Sequence, residues 1–214
     1  MCYNKDVSLA TYIIGSVASL YLLITGDKYD KHIGLFALFY IQIQLFEYLI
    51  WIDQECKTTN SIATKLARIN VCLQPLFILL GAILFKTTAL PMNLLYTVCL
   101  IIIVGTFISS KGYINDTLCT KPGKSGHLDW NNISVNPLIR LIGNFFYYTA
   151  FFLWVFMTSP KRYVIILATI FSFLWSIKEY DNFGYMPIKH ESKWCFIAAG
   201  LPVALIMYKL VTKQ

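Results

Sequence analysis

Charged residues are scarce in this sequence. Only 14% of its 214 residues are Asp, Glu, Lys or Arg, whereas 57% are apolar. A water-soluble domain carries about 25% charged and 45–50% apolar residues, and a domain of this length could not hide so much apolar surface from water. The shortage of charge excludes an ordinary soluble enzyme, a disordered chain and a disulfide-dense secreted module. It leaves a membrane protein.

A clustered basic segment is also missing. The 18 Lys and Arg residues exceed the 11 acidic residues, but they are spread over the ends of apolar runs. Basic side chains in such positions anchor in lipid headgroups. We therefore expect the lipid bilayer as a partner and no nucleic acid. A retinal protein would need a lysine midway along its last span, but Lys209 lies at the far end, so no retinal is expected.

Metal-binding and nucleotide-binding spacings are absent as well. The sequence contains no C-x-x-C or H-x-x-x-H pair that would support a metal site. Gly123-Lys124-Ser125 resembles part of a phosphate-binding loop, but Leu118 occupies the place of the required earlier glycine. We expect no cofactor. Cys2 and His127 are the only candidates for a metal ligand.

Long uncharged runs predict an all-α bundle of seven membrane-spanning helices, because about 20 apolar residues cross a bilayer. The predicted spans are Val7–Gly26, Ile33–Ile52, Ile69–Phe85, Thr87–Ser110, Leu141–Pro160, Tyr163–Ile177 and Trp194–Tyr208. The last two runs are short, so six spans is the alternative. We expect one integral membrane domain over residues 1–214, with a long extramembrane loop near 111–136.

Seven spans place residues 1–7 and the loops near 53–65, 111–136 and 178–193 on one side of the membrane, here called the N-terminal face. Its larger number of Lys and Arg residues favours a cytosolic N-terminus. Possible glycosylation sites at Asn115 and Asn132 favour a lumenal N-terminus, which we prefer. Four cysteines of this face allow one or two disulfides, free thiols or a Cys/His metal site: Cys2, Cys56, Cys119 and Cys195.

Glu47 is the only formally charged side chain well inside the seven spans. A carboxylate there is costly unless it is paired, hydrated or protonated. Tyr40, Gln44, Glu47 and Trp51 share one helix face, which must point into the bundle. Two interpretations remain open. Glu47 is either a protonated structural residue bound to a neighbouring helix, or a contact for a proton, a cation or a substrate.

Other polar residues of the spans are predicted to meet Glu47 near the N-terminal face, because helix direction alternates. The predicted binding residues are Gln44, Glu47, Trp51, Asn70, Gln74, Trp130 and Asn144. His127 and Trp130 of the long loop are candidates for a lid over this set. The opposite helix ends lack comparable polar groups in the sequence. The pattern indicates a polar pocket that opens to one face.

Three short motifs resemble an uncharacterised family of small multi-pass membrane proteins from giant DNA viruses. They are the start Met1-Cys2-Tyr3-Asn4, the stretch Gln44-Leu-Phe-Glu47-Tyr-Leu-Ile-Trp51, and the loop Gly126-His127-Leu128-Asp129-Trp130. The resemblance implies a viral setting and marks Cys2, Gln44, Glu47, His127 and Trp130 as candidate site residues. It implies no mechanism.

Three functional hypotheses follow. The leading one is a membrane protein that binds or transports a proton, a cation or a small polar solute through Glu47 and Gln44. The second is an intramembrane enzyme with Cys2, Glu47 and His127 as catalytic candidates, in which removal of Met1 exposes Cys2 and His127 acts as base or metal ligand. The third is a structural or host-interaction protein of a viral membrane. We expect location in a host endomembrane or a viral membrane.

Overall fold

Helices make up almost all of the structure. The computed structural model describes residues 4–114, 118–123, 128–129 and 200–212. Its helices are α1 (Lys5–Thr25), α2 (Lys28–Tyr40), α3 (Gln42–Ile52), α4 (Thr58–Leu84), α5 (Met92–Ile114) and α6 (Leu201–Thr212). A short antiparallel hairpin pairs β1 (Lys121–Pro122) with β2 (Leu128–Asp129). The all-α prediction is confirmed for this part of the chain.

Three helical stretches are long and apolar enough to cross a bilayer: α1, the combined stretch of α2 and α3, and α4. Helix α5, over Met92–Phe107, and α6 are apolar but shorter. The first four predicted spans thus coincide with helices. The predicted spans Leu141–Pro160 and Tyr163–Ile177 lie outside the described residues, and Trp194–Tyr208 is described only from residue 200 onwards.

Broad apolar surfaces on α1 and α5 remain exposed. Val17 and Ile24 of α1 are more than 60% exposed, and so are neighbouring positions such as Leu100 on α5. Soluble monomers rarely leave contiguous apolar patches of this kind open to water. Side chains of this type suit contact with lipid tails. Together with the long apolar helices, they make this a membrane-associated helical protein.

The first two helices form a closely packed antiparallel pair. Asn4 begins α1 by accepting the backbone N–H of Val7 at 2.9 Å, and Asp27 and Asp30 form a capping box at the start of α2. Gly34 allows the two backbones to approach each other, since a Cβ at this position would lie 2.9 Å from the carbonyl oxygen of Ser19. Helix α1 also packs against α3 and α6.

The second predicted span is divided at Ile41 into α2 and α3. Two side-chain amides bind carbonyl oxygens in the last turn of α2. Gln42 Nε2 donates to Leu38 at 3.0 Å, and Asn70 Nδ2 of α4 donates to Phe39 at 3.0 Å. The rings of Phe39 and Phe77 stack at 3.6 Å. These contacts attach α4 to the helix that carries Glu47.

Helix α4 begins eleven residues earlier than the predicted third span, so the prediction of a loop near 53–65 is wrong beyond residue 57. The Asp53 carboxylate accounts for the early start. Its oxygens accept the backbone N–H groups of Lys57 at 3.1 Å and Asn60 at 2.9 Å, which satisfies donors of the first turn. Arg68 therefore lies inside α4, where it is buried.

Replacing Gly34 with Ala should destabilise the fold by about 1–3 kcal/mol, because the added methyl group overpacks the α1–α2 contact. Gly105→Ala is the matched control. A Cβ at Gly105 meets nothing within 4 Å, so this change should stabilise α5 by roughly 0.5–1 kcal/mol. Thermal unfolding in detergent measures both. Equal effects would contradict a close approach at Gly34.

Candidate functional site

The polar site is centred on Gln44 and Glu47, which are one helical turn apart in α3. Both side chains are fully buried. Gln44 Nε2 donates to Glu47 Oε2 at 2.8 Å. Tyr40 is buried as well, and the face with these residues points into the bundle. This orientation was predicted from the spacing.

Trp51 lies one turn beyond Glu47 and is half-buried. Its indole nitrogen Nε1 is buried and has no hydrogen-bond partner among the residues that the structure describes. Ser8 of α1 is also fully buried, and its hydroxyl likewise has no partner within the described part of the chain. Because α1 packs against α3, both helices contribute buried polar atoms near the N-terminal face.

Asn70 and Gln74 form a second buried amide pair, on α4. Gln74 Nε2 donates to Asn70 Oδ1 at 3.4 Å, and Asn70 in turn donates to the Phe39 carbonyl. Phe39 precedes Glu47 by eight residues, or about 12 Å along a helix axis. Asn70 is thus deeper in the bundle than Glu47, at the level of the break between α2 and α3.

Arg68 is a buried residue that the sequence analysis missed, because the predicted third span began one residue later. Its burial had a detectable signal. Asn60, Thr64 and Arg68 recur every four residues, which places them along one face of α4. All three are buried. Helix α4 packs against α3, so this face adds a cation to the polar interior of the bundle.

The start of the long loop is fastened to α4. A disulfide joins Cys56 to Cys119, with the Cα atoms 5.3 Å apart. The Asn60 side chain binds the backbone of Thr120 twice, by donating to its carbonyl and accepting its N–H, each at 2.9 Å. Thr64 Oγ1 donates to Thr120 Oγ1 at 3.0 Å. Residues 118–120 therefore lie on the N-terminal face.

Leu128, on the second strand of the hairpin, is buried and belongs to the main hydrophobic core. The described parts of the long loop thus return to the bundle, as a lid over the polar site would require. His127 and Trp130, the lid candidates, lie outside the described residues. So do Cys2, Asn144 and the two possible glycosylation sites, Asn115 and Asn132.

Asp53 is the one carboxylate of this face whose electrostatics are clearly altered. Its hydrogen bonds from the backbone N–H groups, that of Asn60 above all, hold the pKa of this carboxyl below its ordinary value. The carboxylate stays ionised and caps α4. The Asn60 amide nitrogen also donates to the Asp53 carbonyl at 2.7 Å, so the cap and the loop attachment share one residue.

The opposite end of the bundle also has buried polar groups, so the expectation that it lacks them is wrong. His32 is fully buried between Ile78, whose carbonyl oxygen is 2.8 Å from Nε2, and Thr87, whose hydroxyl is 2.8 Å from Nδ1. Asp30 is fully buried and forms an ion pair with Lys209 of α6 at 2.5 Å. Both acidic and imidazole groups precede the predicted span Ile33–Ile52, and tertiary contacts bury them.

Metal binding has little support in the part of the chain that the structure describes. No group of three or more His, Cys, Asp or Glu residues there is placed to hold a metal ion. Cys56, one of the cysteines of the N-terminal face, is in a disulfide. The structure therefore brings together the amide and carboxyl groups of α3, while the Cys2 and His127 of the enzyme hypothesis lie outside its described residues.

The chain is similar to an uncharacterised protein, R287, of Acanthamoeba polyphaga mimivirus. The two are 28% identical over 155 residues, which cover 61% of this chain and 64% of that protein. The chain thus spans less than two thirds of the length of this relative. No protein-family model matches the chain, and no solved structure is similar to it. The similarity agrees with the giant-virus setting implied by the sequence motifs.

The stability provided by the Asp53 cap should depend on pH. Because its folded pKa lies below the ordinary value, the stabilisation is complete above that value and is lost as pH falls through the folded pKa. The difference in Tm between wild type and Asp53→Asn should therefore shrink below about pH 4. Glu55→Gln, a change at a neighbouring exposed acid, is the control. A pH-independent difference would contradict the cap.

Asn60→Ala should loosen the attachment of residues 118–120. Truncation removes bonds to the buried Thr120 backbone, and the loss is expected to be about 1–3 kcal/mol. Limited proteolysis should cut the segment near Lys121 faster than in the wild type. Thr59→Ala, at an exposed neighbouring position, should leave the cleavage rate unchanged. Equal rates in all three proteins would show that Asn60 does not hold the loop.

Proposed function

We propose that this chain is a seven-span integral membrane protein in which Gln44 and Glu47 bind or transport a proton, a cation or a small polar solute. The observation that carries the proposal is the full burial of Glu47 inside a helical stretch long and apolar enough to cross a bilayer. Gln44 Nε2 donates to its carboxyl group. This pair is the chemical centre of the site.

The energetic cost of the buried acid supports a functional role. An ionisable side chain within a membrane span is expensive, so such residues commonly line ion or substrate paths. A carboxyl group can gain and lose a proton or bind a cation, and the Gln44 amide orients it without adding charge. Trp51, Ser8, Asn70 and Gln74 provide further buried donors and acceptors around it.

The site opens in this proposal toward the N-terminal face, beneath the attached loop. The Cys56–Cys119 disulfide favours an oxidising compartment for that face, since disulfides are rare in the cytosol. We accordingly place the N-terminal face on the lumenal side of a host endomembrane or on the outer side of a viral membrane. The whole chain is treated as one membrane domain, with the bilayer and a small ion or solute as its partners.

Glu47→Gln tests the proposal. The purified protein is reconstituted into liposomes, and fluxes of H⁺, Na⁺ and K⁺ are recorded with ion-sensitive dyes under an imposed gradient. The variant should reduce the wild-type flux to the level of protein-free liposomes while its thermal unfolding remains cooperative, because an amide keeps the shape of the side chain but cannot ionise.

Glu55→Gln is the matched control for this change. Glu55 is an acid of the same face, but its side chain is 75% exposed and pairs with Lys57. Its substitution should leave the flux at the wild-type value. A folded Glu47→Gln protein with the same ion fluxes as the wild type would refute a role for the carboxylate.

A further inference from the structure

We propose that the transported ion is the proton and that His32 is a second proton-binding group on its path, at the opposite end of the stretch that contains Glu47. This inference rests on the proposed function of the Gln44–Glu47 site. His32 precedes Glu47 by 15 residues, which corresponds to about 22 Å at 1.5 Å per residue. The two groups therefore lie near the two ends of one membrane-length helical stretch, and both are fully buried.

The contacts of His32 accommodate both of its protonation states. A neutral ring donates from Nε2 to the Ile78 carbonyl and accepts at Nδ1 from the Thr87 hydroxyl, with both distances at 2.8 Å. A protonated ring donates from both nitrogens, and the Thr87 hydroxyl oxygen becomes the acceptor. One proton is gained or lost at Nδ1 by rotation of the hydroxyl hydrogen, and the bond to Ile78 stays intact.

The imidazole ring is also fixed in position. It packs directly against Gly81 of α4, where any side chain would overlap the ring. A ring held by two hydrogen bonds and this close contact cannot swing away to exchange protons with bulk water. Exchange must pass through Thr87 on one side and the interior of the bundle on the other. That restriction is what a proton path requires and what a surface histidine lacks.

Polar groups of α4 occupy the interval between the two titratable residues. Asn70, Gln74 and the Ile78 carbonyl recur every four residues on the side of α4 that binds α2. Asn70 contacts α2 near its end, and Ile78 contacts His32 near its start. Amides do not ionise, so the proton between the two sites travels on water molecules that these groups order. Each proton released by the Glu47 carboxyl is accepted by such water and then by His32.

The charged groups near His32 leave its ring as the proton acceptor of this end. Asp30 is already paired with Lys209 of α6. Lys28 Nζ donates to the backbone carbonyl of Lys86, next to Thr87, at 3.4 Å. Lys31 is also on the first turn of α2. Three of these groups are cations, which favour release of a proton from His32 toward this face rather than its storage.

His32→Gln separates proton transfer from structural support. A glutamine can still donate to the Ile78 carbonyl and accept from Thr87, but it cannot take up a proton. In liposomes with an internal pH-sensitive dye, we expect proton flux to fall to the protein-free level while the unfolding temperature changes little. Thr87→Ser, which retains the hydroxyl, should conduct like the wild type.

The outcomes distinguish this inference from the proposed function. Wild-type proton flux in His32→Gln, together with loss of flux in Glu47→Gln, would overturn the role of His32 and leave the Glu47 site standing. Flux of Na⁺ or K⁺ that depends on Glu47, without any flux of H⁺, would overturn the choice of the proton. Unchanged fluxes in both variants would refute the proposed function as well.

A measurement without substitution of His32 covers the case in which that variant does not fold. In a chain with His127→Gln and His190→Gln, His32 is the only histidine left, and its ring nitrogens can be followed by NMR with labelled histidine. We expect the signals of Nδ1 to change between about pH 5 and pH 8. A ring that keeps one protonation state over this range would overturn the inference.

Discussion

The burial of Glu47 is the constraint on which the rest of the structure depends. A carboxyl group inside an apolar bundle must have hydrogen-bond donors close to it, because desolvation otherwise costs more free energy than packing returns. Gln44 supplies one donor from the preceding turn. The break at Ile41, held by Asn70 from α4, ends α2 just before this pair and determines how α3 enters the bundle. The polar interior and the helix geometry are therefore coupled.

The two ends of the bundle are closed by different chemistry. At the N-terminal face, a disulfide and the neutral amide of Asn60 attach the loop to α4. At the opposite end, an ion pair between Asp30 and Lys209 attaches α6, and His32 connects α2 to α4 and to Thr87. A covalent bond and neutral hydrogen bonds do not respond to small changes of pH, whereas an ion pair and an imidazole do. The asymmetry suits a protein whose two faces meet different compartments.

Several features could be predicted because they depend on local sequence alone. Runs of apolar residues predicted the first four helices, and the four-residue and three-residue spacings of Tyr40, Gln44 and Glu47 predicted that they point inward. The start of α4 was placed too late because its first two turns are polar. Their helical state depends on Asp53, which caps them through the backbone N–H groups of Lys57 and Asn60. A cap of this kind leaves no apolar period to detect.

Composition and periodicity by themselves determined that this is a membrane-associated helical protein with an acidic residue facing its interior, because bilayer crossing and helix faces follow from residue order. Only the tertiary structure decided which side chains become neighbours. Asp30 and Lys209 are 179 residues apart, and Asn60 and Thr120 are 60 apart. Such pairs depend on how helices dock in three dimensions, and their partners leave no periodic signal in the chain. The same reason explains why His32 drew no attention until α4 was seen packed around it.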